Sequence, residues 1–417
     1  MSNDRIQPVR GTKDLFGEEI EKFNVIVEIA KKRAKNYGFC ELQTPIFEFS
    51  EIFERNLGEA SDIISKEVYK FKDRGDNFLT LRPEFTASIV RAFISNGVLQ
   101  QNLPQKFFSY GPIFRYDRPQ KGRQRQFNQI NFEIFGEKNY LQDVEAIALA
   151  AEILHDLGIL DRVELQINSL GCAKTKAKYE EALKKYFIEF QNKLSEDSKI
   201  RLQKNPLRIL DSKDFQDIEL CQNTPLISDF YSDDAKKNFD KILQNLDEAK
   251  IKYVVNSRLV RGLDYYTSCV FEFIMEVETA QNTVLAGGRY DSLVEKMGGK
   301  ETPAIGFAAG VERLMMLMNF VPEKSNKLMV IYVDEAQQNH SFKLAQKLRN
   351  AGFEVDFIFD TNFKKQMKKA SQNGVRFVLI LGEDEVVKSE ITVKDFKNSS
   401  EQKIKQGLII PYLEGKF

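Results

Sequence analysis

Histidine is scarce in this sequence, and that scarcity argues against several kinds of active site. The 417 residues include only two histidines, His155 and His340, which lie far apart along the chain. Three-histidine zinc sites, H-E-x-x-H helices and Ser-His-Asp triads are hard to build from that pair. The chemistry of this chain must therefore use arginine, carboxylate or tyrosine side chains, or a metal bound by oxygen.

Cysteine pairs and long apolar runs are missing as well. The four cysteines occur singly, without a C-x-x-C pair, which is typical of reduced thiols in an intracellular protein. The strongest apolar run, Phe377 to Leu381, is far shorter than the ~20 residues of a membrane helix. The polar first residues contain no secretory signal. We expect a soluble, cytoplasmic protein that does not act at a membrane.

The charges of the chain balance. There are 61 Lys+Arg and 61 Asp+Glu residues, which argues against a strongly basic nucleic-acid coat protein or an acidic tail, although local patches remain possible. Residues 327–417 carry a net charge of +3 and the remainder −3, so the small positive excess lies at the C-terminal end. At roughly 100–200 residues per domain, the length predicts two to four domains.

Apolar periodicity predicts the main elements. A helix is expected over residues 20–34, and a Met- and Leu-rich helix over residues 304–320. From about residue 171 to 250, Lys- and Glu-rich helical stretches indicate an insertion. A boundary falls near residues 321–325, beyond which strands and helices alternate, as in a small parallel sheet with covering helices.

A predicted hairpin is the most informative local pattern. Residues 106–116 and 126–136 indicate two strands joined by a long charged tip. If the second strand alternates, Gln129, Asn131 and Glu133 share one face and apolar residues share the other. The floor of a ligand site has this pattern, but so does a strand whose polar face simply meets water.

The hairpin tip concentrates positive charge. Its cations are Arg115, Arg118, Lys121, Arg123 and Arg125. Cations so close together repel one another unless an anion is near, and guanidinium groups bind phosphate through paired hydrogen bonds. A solvated basic loop is the alternative. Because Arg115 is expected inside a strand, where an unpaired charge is unfavourable, we predict a polyphosphate site.

Four further segments contain possible site residues, and some of them also have a purely structural explanation. Residues 81–87 could simply start a helix, and the glycines of residues 285–291 could form a turn that opens one. Residues 306–314 place an arginine in an otherwise apolar helical pattern. Residues 260–267 place Arg, Asp and two Tyr in one turn before a strand.

Taken together, these motifs resemble those of class II aminoacyl-tRNA synthetases. Residues 114–127 resemble motif 2, residues 310–313 resemble motif 3, and Gly38 to Pro45 resemble motif 1, the dimer-interface segment. Within the class, three strings resemble the signatures of histidyl-tRNA synthetases. They are Arg10-Gly11-Thr12-Lys13-Asp14, Arg261-Gly262-Leu263-Asp264-Tyr265-Tyr266 and Gly287-Gly288-Arg289-Tyr290-Asp291. The resemblance runs nearly end to end.

The resemblance implies a fold and an assembly. It implies an α+β catalytic domain with a mainly antiparallel sheet, formed by residues 1–170 and 251–322. A helical insertion domain would occupy residues 171–250, and an α/β anticodon-binding domain residues 327–417. A homodimer is implied as well.

The resemblance also implies the reaction, ATP-dependent ligation of L-histidine to histidine tRNA through a histidyl-adenylate. ATP would enter with Mg²⁺, and no tightly bound metal held by protein ligands is expected. Arg115 and Arg261 would be catalytic at the α-phosphate and would also contact histidine. Arg115, Arg123 and Arg313 would bind ATP.

The remaining implied roles concern histidine and tRNA. Histidine would be bound by Glu84, Thr86, Gln129, Glu133, Tyr265, Tyr266, Gly287 and Gly288. A carboxylate and a phenol suit an imidazole, which offers a donor and an acceptor or, when protonated, two donors. Candidate tRNA contacts are Gln120, Lys364, Lys365, Lys368 and Lys369, although a solvated lysine face is the ordinary explanation for the last four.

Two residues depart from the family pattern, and one rival function stays open. Asp117 stands where a glutamate is usual and is one methylene shorter, which leaves its contact with adenine or tRNA open. Asn128 stands where a histidine is commoner, and we expect little effect from that replacement. The rival is a non-catalytic, histidine-binding paralogue that regulates histidine biosynthesis. Such regulators typically lack the anticodon domain and lose catalytic arginines, whereas Arg115, Arg261, Arg313 and about 90 tail residues are present here.

Overall fold

A computed structural model describes residues 6–54, 67–120, 122–275, 283–321, 327–360 and 362–416. The chain divides into two compact units, Met1–Phe320 and Val321–Phe417. Three expectations fall partly on residues outside the described ranges: Lys121 of the hairpin tip, the end of the strand expected after residues 260–267, and most of the boundary near residue 321. The extents of the predicted domains stay predictions.

The first unit is built around a mainly antiparallel sheet. Its strands are β1 Cys40–Glu41, β2 Phe47–Phe49, β3 Tyr69–Lys72, β4 Phe78–Leu81, β5 Gln105–Phe114, β6 Gln126–Phe135, β7 Val163–Ser169, β8 Val254–Val255, β9 Cys269–Met275, β10 Thr283–Arg289 and β11 Ala304–Gly310. Eight of the described strands form one sheet in the order β1-β5-β6-β11-β10-β9-β7-β8, and β2, β4 and β3 form another. Among the described strands of the larger sheet, only β1–β5 and β7–β8 pair in parallel, and the mainly antiparallel pairing confirms the predicted class.

Helices cover this sheet. They are α1 Glu18–Asn36, α2 Glu51–Glu54, α3 Thr86–Ser95, α4 Gly97–Gln101, α5 Tyr140–Asp156, α6 Ala173–Glu189, α7 Glu196–Lys204, α8 Phe215–Cys221, α9 Asp233–Glu248, α10 Leu293–Lys296 and α11 Val311–Leu317. In α1 the buried side chains Ile26, Val27, Ala30 and Ala34 recur at helical spacing, as predicted. Residues 173–248, all of them described, form helices and turns without a strand.

Two apolar clusters fill the first unit, and together they fix the sheet between helices. One joins β6, through Ile130, Phe132 and Ile134, to α1 and α5. The other joins α3 and α6 to residues of the 259–266 loop and of β9. The sheet is therefore packed on both sides, and its polar residues can form an enclosed site.

Two element predictions were wrong. Residues 304–310 form strand β11, and the helix spans only Val311–Leu317. Residues 285–289 belong to strand β10 and do not form a turn that opens a helix. Periodicity alone does not distinguish a helix from a strand in a short apolar run that is rich in Ala and Gly. Here tertiary pairing decided, since β11 lies between β6 and β10.

The second unit alternates strands and helices. Its strands are β12 Leu328–Tyr332, β13 Val355–Phe357, β14 Phe377–Leu381, β15 Glu390–Asp395 and β16 Ser400–Lys405, and its helices are α12 Gln338–Asn350, α13 Phe363–Gln372, α14 Glu383–Lys388 and α15 Ile409–Glu414. The described strands form one sheet in the order β13-β12-β14-β15-β16. The predicted parallel pairing is confirmed for β12, β13 and β14. The sequence analysis predicted no strand beyond residue 381, where β15 and β16 extend the sheet in antiparallel pairs.

None of the helices in the described parts of the chain has the length and apolar character needed to span a bilayer.

Candidate active site

A cavity of about 390 Å³ opens in the first unit, where β6, β9, β10 and β11 meet the start of α3 and the loops that follow β5 and precede β9. Many of the residues singled out in the sequence line it together. They are Glu84, Thr86, Arg115, Arg123, Gln129, Arg261, Tyr265, Tyr266 and Arg313. The described residues of the lining include neither histidine. Arginines, carboxylates and tyrosines are therefore the chemical groups of this cavity.

Strand β6 forms what we call the polar floor of the cavity, together with Thr86 and the tyrosines described below. Gln129 and Asn131 line the cavity, while Ile130, Phe132 and Ile134 are buried in the apolar cluster on the opposite face. The alternation predicted for this strand is confirmed, and it has one polar and one apolar face.

Glu133 is the next polar residue of β6 and is almost completely buried. It accepts hydrogen bonds from Thr86 Oγ1 (2.6 Å), Asn131 Nδ2 (3.1 Å) and the Tyr290 hydroxyl. Glu133 is not among the described residues that line the cavity, but it is hydrogen-bonded to Thr86 and Asn131, which do line it. Burial raises the pKa of Glu133 to about 7.

Gly306 of β11 lies directly against this carboxyl group. A Cβ atom on Gly306 would collide with Glu133 Oε2 and with the carbonyl oxygen of Phe132. The small residue is therefore required for β11 to pair with β6 beside a buried glutamate. This explains in physical terms why the 304–310 run is rich in small residues.

The tyrosines close the floor. Tyr265 and Tyr266 are buried and line the cavity, with ring centroids 4.6 Å apart, and Tyr290 lies 5.6 Å from Tyr265. Burial raises the pKa of all three phenols, so they remain neutral and able to donate hydrogen bonds.

Gly287 and Gly288 were predicted to line the pocket for the substrate. In the described structure the neighbouring Leu285 and Ala286 line the cavity, and the two glycines do not. A Cβ atom on Gly288 would lie 2.9 Å from Tyr266 Cδ1, and one on Gly287 would meet Phe271 and Phe307. The glycines instead let β10 approach its neighbours closely, and their contact with a substrate stays a prediction.

Glu84 and Arg115 meet at the start of α3. The Glu84 carboxylate accepts hydrogen bonds from the backbone N–H groups of Thr86 (2.6 Å) and Ala87 (2.8 Å), which a helix N-terminus leaves unpaired. Arg115 Nε donates to the carbonyl oxygen of Pro83 (2.8 Å). Burial raises the pKa of Glu84 and lowers that of Arg115. The loop before α3 therefore holds both a carboxylate and a guanidinium at the cavity.

We call the four guanidinium groups that line the cavity the arginine end: Arg115, Arg123, Arg261 and Arg313. Arg123 pairs with Asp117, and Arg261 pairs with Glu272. Arg313 donates to the carbonyl oxygen of Thr283. Burial and the nearby Arg115 and Arg123 lower the pKa of Arg313. The charges of this end repel one another, as expected for a site that receives an anion.

Several polar atoms of the lining have no partner within the described structure. Gln129 Oε1, Asn131 Oδ1 and Arg261 Nε are buried and form no hydrogen bond there. Buried polar groups are nearly always hydrogen-bonded in native proteins. These atoms therefore mark positions where a polar ligand would complete the site.

The two departures from the family pattern both lie near the arginine end. Asp117 lines the cavity, pairs with Arg123 and accepts a hydrogen bond from the backbone N–H of Arg118 (2.6 Å). Asn128 donates from its backbone N–H (2.9 Å) and from Nδ2 (2.9 Å) to the carboxylate of Glu312. Glu312 is itself a lining residue and immediately precedes Arg313.

Sequence reasoning missed Glu272 and Thr283 as site residues. Glu272 of β9 pairs with Arg261 and accepts a hydrogen bond from Thr283 Oγ1 (2.8 Å), and both residues line the cavity. The available signal was the single charged residue in the apolar strand Cys269–Met275, where an unpaired charge would be unfavourable.

The candidate tRNA residues are exposed. Gln120 lies at the tip of the hairpin, where its backbone pairs with that of Arg123. In the second unit, Lys364, Lys365, Lys368 and Lys369 lie on the exposed surface of α13, while Gln366 and Ala370 are buried. The exposure fits a contact surface and a solvated face equally, so these roles stay predictions.

Both units match known protein families. Residues 11–314 match the family described as Histidyl-tRNA synthetase, and residues 327–416 match the Anticodon binding domain. The chain is 49% identical over 398 residues to a histidine–tRNA ligase of Wolbachia pipientis subsp. Culex pipiens (strain wPip), which covers 95% of this chain and 97% of that protein. It is 45% identical over 416 residues to a histidine–tRNA ligase of Orientia tsutsugamushi (strain Boryong), which covers 98% of each.

A solved structure agrees as well. The apo histidyl-tRNA synthetase of S. aureus superposes with a TM-score of 0.83 at 31% identity, over 98% of this chain and all of that chain. The likeness extends through both units, the catalytic sheet and the separate five-stranded sheet. The chain therefore belongs to the histidyl-tRNA synthetase family.

Proposed function

We propose that this chain ligates L-histidine to histidine tRNA at the expense of ATP. In the first step a carboxylate oxygen of histidine attacks the α-phosphorus of ATP, and the bond to the pyrophosphate leaving group breaks. In the second step a terminal ribose hydroxyl of the tRNA attacks the acyl carbon of histidyl-adenylate. AMP leaves, and the hydroxyl proton is released.

The arginine end is the proposed nucleotide site. Arg115 and Arg261 would contact the α-phosphate and the attacking carboxylate, so that they stabilise the charge that develops in the transition state. Arg123 and Arg313 would bind the remainder of ATP. The unpaired Nε of Arg261 and the mutual repulsion of these cations support an anionic ligand here.

ATP would bind as its magnesium complex. Mg²⁺ prefers oxygen ligands and is usually held by phosphates, water and one or two carboxylates. Glu272 is one carboxylate of the cavity lining with that chemistry. The metal would neutralise part of the negative charge of the phosphates, and the arginines would position the nucleotide.

The polar floor is the proposed histidine site. Glu84, Thr86 and Gln129 would hold the amino-acid backbone, and Tyr265, Tyr266 and Glu133 would hold the imidazole. The carboxyl group of Glu133 can accept or donate a hydrogen bond near neutral pH, because burial raises its pKa to about 7. A buried polar pocket of this kind discriminates against amino acids that leave its groups unpaired.

The second step requires tRNA. The four exposed lysines of α13 could neutralise backbone phosphates, and Gln120 could meet the acceptor end. We propose that the reaction takes place in the cytoplasm.

We also propose a homodimer. The sheet formed by β2, β4 and β3 exposes Phe47, Phe49 and Phe71, each between 43% and 53% exposed, and the three share one face because Phe49 and Phe71 both pair with Leu79. An exposed apolar sheet face is typical of a protein interface. A Phe49→Glu variant should sediment at a lower mass than the wild type in analytical ultracentrifugation. Identical sedimentation of a dimeric wild type and the variant would exclude this face.

The observation that carries the proposal is a single cavity that combines a polar floor with four arginines. Its test is pyrophosphate exchange, measured with each amino acid in turn. Histidine alone should drive exchange, and Arg261→Ala should abolish most of it. If the protein bound histidine but catalysed no exchange with any amino acid, the regulatory paralogue would be the better assignment.

A further inference from the structure

The loop that carries Arg261 is held by the helical segment, which we define as residues 173–248. This loop comprises Arg261, Gly262, Leu263 and Asp264, directly before the two tyrosines of the polar floor. Three polar side chains of the helical segment donate hydrogen bonds to the loop. The segment therefore contributes to the cavity although it lies outside the sheet.

Arg208 makes the central contact. It is 6% exposed and lies in the turn Pro206–Ile209 between α7 and α8. Its Nη1 donates to the backbone carbonyl oxygen of Arg261 (3.1 Å) and lies 3.4 Å from where a Cβ atom on Gly262 would stand. A buried guanidinium thus fixes the backbone of the residue whose side chain lines the arginine end.

Asn205 and Lys176 hold the other end of the loop. Asn205 Nδ2 donates to Asp264 Oδ1 (2.9 Å), and its Oδ1 accepts from the backbone N–H of Leu207 (3.1 Å), which starts the turn that carries Arg208. Lys176 Nζ of α6 donates to the carbonyl oxygen of Asp264 (3.1 Å). Burial raises the pKa of Asp264, and the positive charges of Arg208 and Lys176 oppose that rise.

We propose that Arg208 is a positioning residue that sets the geometry of Arg261 for the adenylation step. The proposal rests on the function proposed above. Arg208 does not line the cavity in the described structure, so it acts through the backbone of the loop. Small misplacements of a catalytic group are known to lower rates by large factors, while ground-state binding changes less.

The main experiment is a double-mutant cycle in histidine-dependent pyrophosphate exchange with the full-length protein. Arg208→Ala should lower kcat by about 10- to 100-fold and change the KM for histidine by less than about three-fold. In an Arg261→Ala background, the same substitution should have little further effect, because the group that it positions is gone. Arg208→Lys should restore part of the rate if one donor can still reach the carbonyl oxygen of Arg261.

Arg258→Ala is the matched control. Arg258 donates to the carbonyl oxygens of Cys221 (2.7 Å) and Gln222, so it joins the same helical segment to the same part of the chain. It makes no hydrogen bond to the loop from Arg261 to Asp264 within the described structure. Its loss should lower the thermal unfolding temperature about as much as the loss of Arg208, with a much smaller effect on kcat.

The outcomes separate the two proposals. The positioning role would be overturned if the effects of Arg208→Ala and Arg261→Ala were fully additive, or if the Arg208 and Arg258 variants lost kcat equally. In either case, exchange by the wild type would still support the proposed function. Absence of exchange in the folded wild type would overturn the proposed function, and the positioning role with it. If Arg208→Ala does not fold, Asn205→Ala provides the same cycle through the Asp264 end of the loop.

Discussion

The polar floor and the arginine end of the cavity differ in how their groups are satisfied within the protein. Glu133, the central group of the floor, accepts hydrogen bonds from three side chains, and burial raises its pKa to about 7. At the other end, four guanidinium groups converge. Arg123 pairs with Asp117 and Glu67, Arg261 pairs with Glu272, and Arg115 and Arg313 donate to backbone carbonyl oxygens.

This difference indicates two kinds of ligand recognition. A nearly neutral and preorganised floor suits a small amphoteric group, because few charges have to be desolvated and the hydrogen-bond pattern selects the ligand. An end where four guanidinium groups converge suits a polyphosphate, because guanidinium groups bind phosphate oxygens through paired, charge-assisted hydrogen bonds. Substitutions at the two ends should therefore affect different kinetic parameters.

The largest effect is expected at the arginine end. Arg115→Ala should reduce kcat for histidine-dependent pyrophosphate exchange by roughly 10²–10³-fold, or about 3–4 kcal/mol, because it removes the donor that we propose stabilises the developing charge. Arg115→Lys keeps the charge but loses the planar fork and should recover only part of the rate. If Arg115→Ala changed only the KM for histidine and left kcat unchanged, the distinction between the arginine end and the polar floor would be contradicted.

In the polar floor we expect a smaller effect, which concerns substrate binding and not kcat. Glu133→Ala should weaken histidine binding by roughly 10- to 100-fold, as for loss of a buried hydrogen bond, and should leave ATP binding largely unchanged. Calorimetric titration with each ligand separately measures both. Tyr290→Phe serves as the control, since it removes one partner of Glu133 and leaves the carboxyl group in place. Equal losses for histidine and ATP would remove Glu133 from the imidazole role.

The pH dependence of stability tests the state of the floor directly. The pKa of Glu133 rises from 4.5 to about 7 on folding, so between these values the unfolded chain releases a proton that the folded protein retains. The contribution of Glu133 to the free energy of unfolding is therefore full below about pH 4.5 and is lost as the pH rises towards 7.

Glu133→Gln should lack this dependence. Urea unfolding at pH 5 and pH 7.5 without histidine should show the wild type losing about 1–3 kcal/mol more than the variant over that interval. Parallel behaviour of the two proteins would mean that Glu133 is already ionised in the folded state.

The smallest effect concerns a carboxylate that supports the arginine end. Asn128→Ala removes one of the hydrogen bonds that Asn128 makes to Glu312, while the backbone bond remains. We expect a loss of about 1 kcal/mol in the free energy of unfolding and a change of a few fold in the KM for ATP, with histidine affinity unchanged. A histidine-specific change would link Glu312 to the floor instead.

The sequence predicted the hairpin and the alternation of its second strand, because both depend on local spacing. The family resemblance implied nine of the residues that line the cavity. The sequence pattern predicted residues 304–310 as helix, because an apolar run rich in Ala and Gly fits either period and only pairing with β6 and β10 selects the strand. Glu272 and Arg208 were not predicted as site residues, since their partners lie 11 and 53 positions away in the chain.

Residue types and motifs alone therefore determined the class of fold, the family resemblance and the exclusion of histidine-based catalysis, because these depend on composition and short-range patterns. Only the tertiary structure decided which groups satisfy one another. In the structure, Glu133 is buried and hydrogen-bonded to Thr86 and Asn131. Gly287 and Gly288 allow close packing between strands, and Arg208 donates a hydrogen bond to the loop that carries Arg261. Burial and long-range hydrogen bonds set the pKa values and positions of these groups, and neither can be derived from local sequence.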